Sequence, residues 1–372
     1  MAAMVHAFHA PDGTPQLGVV AKRAYRLAPG RRCVPANDDA EIVVQPIHRA
    51  APHDEVELVH DTDLFALAKP VTDVVVDGSV HLGAAAAVAE ASVEVGPVRK
   101  RLRVWGDRVV ELDAQRRPRF STPEPFTRMP LTWSRAYGGR DIAAEAALRR
   151  AAGPRASRID IGVVAYPRNP AGCGYRVASD ASGLAGTAAP NFEDPCDPAT
   201  ADRLLSRELL DWIDRPAAAG FGPVDVRTFP RACFLLPVDH AEPTRPVHEI
   251  VCGAISVRDL EPRDLSTIDP RIYSCASPGL GRQRLTGGEP LRLVHLHPRQ
   301  PALETQLPAD CPQVLVEPPG APIRRLAPRL ATVLIQPDRD LVTLTWAASM
   351  ATACLFPPDA LERVRWGVTF AA

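Results

Sequence analysis

Apolar and polar residues alternate in several short runs along this chain, as they do in strands that bury one face. The run QLGVVAKRAYRL at 16–27 has this pattern and is followed by a Pro-Gly step that would end a strand. Comparable runs occur at 71–83, 91–112, 129–139, 232–238, 249–257, 283–297, 313–319 and 330–346. The chain is therefore predicted to consist mainly of strands.

Turn signals inside these runs predict hairpins. Asp77-Gly78 and Gly106-Asp107 each separate two runs that are rich in β-branched residues. The run at 330–346 carries the sequence Pro-Asp-Arg-Asp between alternating Val, Leu and Ile residues, which predicts a closing hairpin.

Helical periodicity is confined to two segments. Residues 142–152 are strong helix formers and follow Asp141, a suitable N-cap. Residues 198–213 place four large apolar side chains on one helical face. The intervening segment at 166–196 is dense in Pro, Gly, Asn and Asp, so we expect it to be long and irregular.

The composition favours strands and turns over long helices. Proline supplies 39 of the 372 residues, about twice the usual share of roughly 5%. Because proline interrupts helices and central strands, we predict a mainly β fold with antiparallel sandwich or barrel-like sheets, long Pro/Gly-rich loops and a few short helices. We predict a main β-rich domain at 1–300 and a C-terminal β-hairpin segment at 301–372 packed on the same unit. Two closely packed β units are the alternative.

The charge of the chain is nearly balanced, with 43 basic and 44 acidic residues, so no global field attracts nucleic acid or an anionic membrane. No run approaches the ~20 apolar residues that a membrane-spanning helix needs. The first residues lack a signal-peptide pattern, and the eight cysteines are scattered without a CxxC pair. We therefore expect a soluble cytoplasmic protein with reduced thiols and no nucleic-acid or membrane partner.

The common catalytic and nucleotide-binding motifs are missing from the sequence. It contains no GxGxxG that opens a helix after a strand, no GxxxxGK[ST], no HExxH and no GxSxG. We therefore expect no catalytic residue, no cofactor and no metal.

Two groups of polar residues are weak candidates for a site. His295 and His297 would share one face of a strand, as metal ligands do, but no third ligand stands at a useful spacing, and a polar strand face is the alternative. His60, Asp61 and Asp63 would form an acidic pocket or, as we favour, a solvated loop.

A third group, Asn191, Glu193 and Asp194 in the segment APNFEDP, contains a pair of acids. Two carboxylates imply general acid/base chemistry only at a defined separation in space. Asn, Asp and Pro residues also build turns, and we favour that interpretation. If this loop met Asp61 or Asp63 in a deep pocket, the protein would instead be a hydrolase acting on glycan or peptide.

The segment FTRMPLTWSRAYGGRD at 126–141 concentrates rings in a chain of which only 5% of residues are aromatic. On a strand, Trp133, Arg135 and Tyr137 would lie on one face. Trp, Tyr, Met and Arg together are typical of interface cores, but the rings would equally anchor the fold, and we favour that interpretation. Exposed coplanar rings would instead indicate a carbohydrate-binding module.

MPLTWSRAYGG at 129–139 resembles the signature MPL-x-[YW]-x-R-A-[FY]-GG of a bacterial family called domain of unknown function 2169. Further segments resemble the same family in the same order, at 69–83, 100–108, 169–175, 189–195, 218–231, 285–298 and the closing hairpin with its Thr345-Trp346. The chain departs from the family pattern at Cys173, which replaces a basic residue, and at APNFE, which stands for LPN-[IL]-E. It also has CASPGLGRQ at 275–283 in place of A-x-P-D-Q, so a partner contacted there would differ.

The resemblance implies a biological role, but it identifies no catalytic residues. Proteins of this family are found with type VI secretion components, beside the spike proteins VgrG and PAAR and toxic effectors. The resemblance therefore implies a non-catalytic adaptor or chaperone that binds a secreted effector protein and helps load it onto the spike. The candidate partner-binding residues are Arg128, Met129, Trp133, Arg135, Tyr137, Gly138, Gly139, Asn169, Tyr175, Asn191 and Phe192.

Overall fold

The computed structural model describes residues 1–37, 40–153, 164–177, 181–206, 215–235 and 269–370. Within these ranges the chain is mainly β, with several antiparallel sheets and few helices, so the predicted fold class is confirmed. None of the helices in these ranges has the length and hydrophobicity that a bilayer span requires.

The strands of the first half of the chain are β1 (Ala2–His9), β2 (Pro15–Arg26), β3 (Val34–Pro35), β4 (Ile47–Ala50), β5 (Val56–His60), β6 (Asp73–Val76), β7 (Ser79–Ala86), β8 (Val88–Val95), β9 (Val98–Trp105), β10 (Val110–Leu112), β11 (Pro118–Phe120), β12 (Phe126–Pro130), β13 (Tyr137–Gly138), β14 (Cys173–Gly174) and β15 (Arg176–Val177). They are followed by β16 (Phe192–Glu193), β17 (Leu205–Ser206), β18 (Pro290–His297), β19 (Gln300–Gln306), β20 (Gln313–Glu317), β21 (Arg324–Leu326), β22 (Arg329–Gln336), β23 (Leu341–Ala351) and β24 (Arg365–Thr369).

The first large sheet has the strand order β1-β2-β23-β22-β6, with β3 paired to β2. β23 is antiparallel to β2 along its whole length, from Leu341 opposite Arg26 to Ala351 opposite Gln16. The predicted closing hairpin is confirmed as β22 and β23, which a short 3₁₀ turn at Pro337–Arg339 joins. β6 is parallel to β22. Strands from near both ends of the chain thus form one sheet.

The second large sheet has the order β16-β9-β8-β18-β19. Its β8-β9 hairpin turns at Gly96 and Pro97, with Val95 opposite Val98. Smaller groups of strands surround the two large sheets: β4 pairs with β5, β7 with β12, β10 with β11, β13 with β14, β15 with β17, and β20 with both β21 and β24.

One apolar core is shared by the two large sheets. Val76 and Leu344 from the first sheet belong to the same buried cluster as Val93, Leu102 and Leu293 from the second. Each such side chain contributes about 1.5–3 kcal/mol when it is fully buried. The core therefore fixes the two sheets relative to each other, and with them the loops at their edges.

Two of the predicted hairpins are wrong. β6 and β7 follow each other across Asp77-Gly78, yet β6 pairs with β22 and β7 pairs with β12. β9 and β10 separate in the same way at Gly106-Asp107, since β9 pairs with β8 and β10 pairs with β11. At both places the turn carries the chain from one sheet to another.

The first predicted helix is confirmed as α1 (Ile142–Ala152), whose N-cap Asp141 accepts hydrogen bonds from the backbone N–H groups of Ala143 and Ala144. A second short helix, α2 (Pro358–Leu361), lies near the end of the described chain. Residues 166–177 and 181–196 are irregular, with two-residue strands, as the sequence predicts.

Other predicted elements fail in their described parts. The helix predicted at 198–213 is wrong at its start, because Ala201–Leu204 forms a 3₁₀ turn and Leu205–Ser206 a strand. The strand predicted at 232–238 begins instead within the 3₁₀ turn Arg231–Leu235. The remainders of both elements, and the run at 249–257, lie outside the described residues.

The edge of β6 that faces away from β22 is covered by irregular chain. The backbone N–H of Val76 donates to the carbonyl of Phe221, and that of Val74 donates to the carbonyl of Leu280, each over 3.1 Å. The second contact belongs to residues 275–285, which we call the 275–285 loop. This loop is thereby fixed against the first large sheet.

Candidate binding surface

Most of the candidate partner-binding residues are buried: Met129, Trp133, Tyr137, Gly138, Gly139, Asn169, Tyr175, Asn191 and Phe192. Arg128 is exposed and Arg135 is partly exposed. This burial supports the interpretation that the segment around Trp133 anchors the fold. Direct contact between these buried residues and a partner stays a prediction. Their burial does not favour it.

Trp133 packs in the main core and holds the irregular segment at 220–223 against it. Its indole N–H donates to the carbonyl of Pro223 over 2.7 Å, and a Cβ added at Gly220 would stand 3.0 Å from the ring. The strand predicted at 129–139 is wrong after Pro130, because β12 ends there and Trp133–Arg135 forms a 3₁₀ turn. The side chains at 133, 135 and 137 therefore do not share a strand face.

The Gly-Gly pair permits a close approach between two backbone segments. Gly138 has φ +147°, and a Cβ added there would lie 2.1 Å from the carbonyl oxygen of Asn169. The Asn169 side-chain amide donates to the carbonyl of Tyr137 over 3.1 Å. The ring of Tyr166 packs against those of Tyr137 and Tyr175, with centroid separations of 4.9 and 5.7 Å. These tyrosines form a second, smaller core.

The loop that holds Asn191 and Glu193 is a structural link between strands. The Asn191 amide oxygen accepts from Arg135 over 3.1 Å, and its amide nitrogen donates to the carbonyl of Trp105 over 3.0 Å. Glu193 Oε2 accepts from the backbone N–H of Ala199 over 3.1 Å. Both side chains are buried, and each forms a hydrogen bond with a backbone group.

The geometry gives little support to the two alternative functions. Asp194 lines a different cavity from Asp61 and Asp63, so the carboxylates that a hydrolase would need do not converge among the described residues. The rings of Trp133 and Tyr137 are buried, which removes them as stacking platforms for a carbohydrate.

The two histidines do not face one site. His295 has φ +54° and lies in a β-bulge between Val294 and His297. His295 Nδ1 lies 2.8 Å from the carbonyl oxygen of Glu90, and His297 Nε2 lies 2.6 Å from a carboxylate oxygen of Asp340. Within the described ranges, no group of three or more His, Cys, Asp and Glu side chains is placed to hold a metal ion.

His60, Asp61 and Asp63 do not lie in a solvated loop, so that interpretation is wrong. Asp63 forms a buried ion pair with Lys22 over 2.8 Å, and Asp61 forms one with Arg231 over 2.6 Å. Each aspartate is fixed by a cation from a distant part of the chain.

His60 completes this cluster as a neutral side chain. Its Nδ1 lies 2.5 Å from the carbonyl oxygen of Asp61, which can only accept, so Nδ1 carries the hydrogen. Nε2 then accepts from the Lys22 ammonium over 3.0 Å. Burial, together with the charge of Lys22, lowers the pKa of His60.

A third buried ion pair joins Lys69 to Asp73 over 2.6 Å, and Asp73 also accepts the backbone N–H of Cys275 over 2.8 Å. Burial opposes the charge on Lys69, but Asp73 outweighs it and raises the pKa of Lys69. Burial raises the pKa of the Cys275 thiol, which is therefore neutral and unreactive. The cavity among these groups has a volume of about 20 Å³, room for about one water. The cluster thus positions the 275–285 loop and is too small to bind a substrate.

Two open pockets border the 275–285 loop. The first, which we call the basic pocket, has a volume of about 440 Å³. Its charged lining residues are Arg99, Lys100, Arg101, Arg282 and Asp194. Cys196, an exposed thiol, also lines it. Two cations, Lys100 and Arg282, act on the same site as the single carboxylate of Asp194. Arg99 and Arg101 alternate with Lys100 along β9, so their side chains lie on the opposite face of the sheet.

Lys100 reaches from β9 to the 275–285 loop. Its ammonium donates to the Ser277 hydroxyl over 3.1 Å, and that hydroxyl donates to the carbonyl of Gly220 over 2.8 Å. Burial lowers the pKa of Lys100 to about 8; Asp194 opposes this shift and Arg282 adds to it. The ammonium is the more populated form at neutral pH, although its charge is poorly compensated.

The second pocket, which we call the apolar pocket, has a volume of about 430 Å³ and is lined mainly by apolar groups, including Val71, Val224 and Phe234. Pro278 of the 275–285 loop lines both pockets. The guanidinium of Arg271 lies 4.3 Å above the ring of Phe234 and covers part of this wall. A charged recess and an apolar recess are thus adjacent.

Residues 12–347 match a protein-family model described as "Uncharacterized protein conserved in bacteria (DUF2169)". The chain belongs to this family. No significant match was found among curated proteins or among solved structures. The family resemblance of the sequence motifs is therefore confirmed, and the DUF2169 match covers both pockets.

The DUF2169 motifs converge on the two pockets. The segment at 69–83 supplies part of the apolar pocket, as does the segment at 218–231. The segments at 100–108 and 189–195 contribute to the basic pocket. The 275–285 loop lies between these segments and contributes Pro278 to both pockets.

Sequence reasoning named Asp194 but missed the cations of the basic pocket. Lys100 lies in the segment at 100–108 that resembles the family and Arg282 lies at 275–283, and neither was a candidate for binding. The buried pair Lys69 and Asp73 has the spacing i, i+4, but Lys69 lies in irregular chain and Asp73 begins β6, so no helical periodicity marks it. The available signal was the set of segments that resemble the family, several of which line the pockets.

Proposed function

We propose that this DUF2169 protein is a cytoplasmic, non-catalytic adaptor that binds a type VI secretion effector and helps load it onto the VgrG/PAAR spike. The secretion context rests on the resemblance of the sequence motifs. The observation that carries the binding role is the pair of adjacent open pockets, of about 440 and 430 Å³, on a loop held rigid by buried ion pairs. Preformed recesses on a fixed backbone are typical of recognition surfaces.

The hydrogen bonding in the basic pocket supports binding over turnover. Ser277 and Lys100 are adjacent, as in serine–lysine hydrolases, but a carbonyl can only accept, so the Ser277 proton points to Gly220. Lys100 therefore donates to the hydroxyl and does not take its proton. Ser277 is also fully buried, which denies a substrate access to its oxygen.

The proposal is tested with purified type VI effector and spike proteins of the host bacterium. We expect the purified protein to form a complex with the effector, detected by size-exclusion chromatography with light scattering, and the effector to join the spike protein more readily when the adaptor is present. Deletion of the gene should lower the amount of effector secreted. An adaptor that binds neither protein, with effector secretion unchanged after deletion, would overturn the proposal.

A further inference from the structure

We propose that the basic pocket receives an acidic, extended segment of the partner protein, and that Lys100 and Arg282 are the groups that bind its carboxylates. This inference rests on the adaptor function and names the chemistry of the segment that the adaptor recognises.

The cations of the basic pocket are only partly compensated. Neither Lys100 nor Arg282 forms an ion pair with a described residue, and Asp194 is the one carboxylate that lines the pocket. Two arginines that line the neighbouring apolar pocket are paired by contrast, Arg231 with Asp61 and Arg271 with Asp269. The one acid of the basic pocket, Asp194, accepts the backbone N–H of Cys196 over 2.8 Å. A ligand with several carboxylates would supply the missing charge.

The backbone beside the basic pocket suits an extended ligand. The two-residue turn at 96–97 makes Val95 and Val98 a hydrogen-bonded pair, and such pairs alternate along the β8-β9 ladder. Arg99 and Arg101 therefore direct their backbone N–H and C=O groups away from β8. Over the described residues, β16 extends this edge only at Arg103 and Val104. No described residue pairs with this edge between 98 and 102, so an added strand could join it there.

The adjacent apolar pocket indicates that the bound partner segment also carries apolar side chains. Pro278 lines both pockets, so a chain that places carboxylates beside Lys100 passes close to the recess formed by Val71 and Phe234. Alternating acidic and apolar residues suit this surface, because alternate side chains of a strand point to opposite sides.

A protein segment fits this surface better than a nucleic acid does. Single-stranded nucleic acids use aromatic side chains for base stacking along a basic groove, and none of the described residues lining the basic pocket is aromatic. The net charge of −1 also provides no long-range attraction for a polyanion.

The inference is tested by fluorescence anisotropy with a short fluorescein-labelled peptide in which Glu alternates with Leu. The comparison peptide carries Gln in place of every Glu, and a labelled single-stranded oligonucleotide serves as a second probe. We expect the full-length protein to bind the Glu peptide, with an affinity that falls as salt rises, and to bind the other two probes weakly.

Arg282→Glu and Lys100→Glu should each weaken binding of the Glu peptide on the order of tenfold or more, because like charges then face the ligand. Arg282 is exposed, so its replacement tests the pocket without disturbing the fold. Arg325→Glu is the matched control, since Arg325 is exposed on β21 and lies outside the basic pocket. It should leave the affinity unchanged.

Equal binding by the wild type and the Arg282→Glu protein, or no binding of the Glu peptide at all, would overturn the inference. Preferential binding of the oligonucleotide would overturn it as well. The adaptor function would survive each of these results if the effector complex still formed, whereas loss of the effector complex in the wild type would remove the adaptor function itself.

Discussion

Asp73 is a single buried carboxylate that connects a strand of the first large sheet to the 275–285 loop. Lys69, Asp73 and Asp61 lie beneath the 275–285 loop, and Asp73 binds both a cation and the backbone of Cys275. A buried carboxylate is costly unless it is paired. Because the same carboxylate pairs with Lys69 and accepts the Cys275 N–H, its loss should both release the loop and lower the free energy of unfolding.

Replacement of Asp73 should reveal this cost. Asp73→Ala leaves the Lys69 ammonium buried without its carboxylate, so we expect a loss of about 3–5 kcal/mol in the free energy of unfolding, measured by urea denaturation. Asp359→Ala is the control, because the Asp359–Arg363 pair is exposed and its loss should change stability by less than about 1 kcal/mol. Equal effects of the two substitutions would contradict the role given to Asp73.

Peptide binding should depend on pH through Lys100. Its pKa is about 8 in the unbound protein, with Asp194, Arg99, Arg101 and Arg282 around the same pocket. A bound carboxylate raises that pKa, so the charge of Lys100 contributes fully to affinity below about pH 8 and is lost as pH rises through the bound-state value. Anisotropy titrations at about pH 7 and pH 9 should show weaker binding at the higher pH. An affinity that stays constant over this interval, or rises, would exclude Lys100 as a binding group.

At the scale of elements, the sequence predicts local structure well and strand pairing poorly. The strand at 16–27, the helix at 142–152 and the closing hairpin each follow from local pattern, and each is confirmed. The hairpins predicted at 77–78 and 106–107 fail, because a turn signal shows where the chain bends but not which strand it pairs with next.

Gly138 illustrates how one element depends on a distant backbone. Gly138→Ala would bring a Cβ to 2.1 Å from the Asn169 carbonyl in an unfavourable φ region, so we expect a loss of about 1–3 kcal/mol or more, seen as a lower melting temperature. Gly83 lies in β7 with open space around it. Gly83→Ala should be neutral or stabilising by up to about 1 kcal/mol. An Ala at 138 that the fold tolerates equally well would refute the close approach.

The candidate surface could be predicted less well than the fold. The rings around Trp133 stand out in the sequence because aromatic residues are scarce, yet they are buried. The cations of the basic pocket come from β9 and from the 275–285 loop, which are distant in sequence. Only the three-dimensional pairing of these segments brings the charges together, and no local pattern encodes it.

At the scale of the whole molecule, β23 joins the beginning and the end of the chain. It lies between β2 and β22 in the centre of the first large sheet. A chain that ends at residue 340 loses this central strand and should fail to fold, as judged by circular dichroism and solubility. A chain that ends at 356 loses only α2 and β24 and should retain a cooperative thermal transition. A soluble, cooperatively folded 1–340 fragment would show that the C-terminal segment is a separate unit.

Cys196 is exposed and lines the basic pocket, so a fluorescent dye can be attached to its thiol there. Among the described cysteines, Cys311 and Cys354 are also exposed but lie outside this pocket, Cys173 is partly exposed, and Cys33 and Cys275 are buried. With every cysteine except Cys196 and the buried Cys33 and Cys275 changed to Ser, an environment-sensitive fluorophore on Cys196 would lie at the basic pocket. A change in its emission on addition of the Glu peptide would then report binding at this pocket directly.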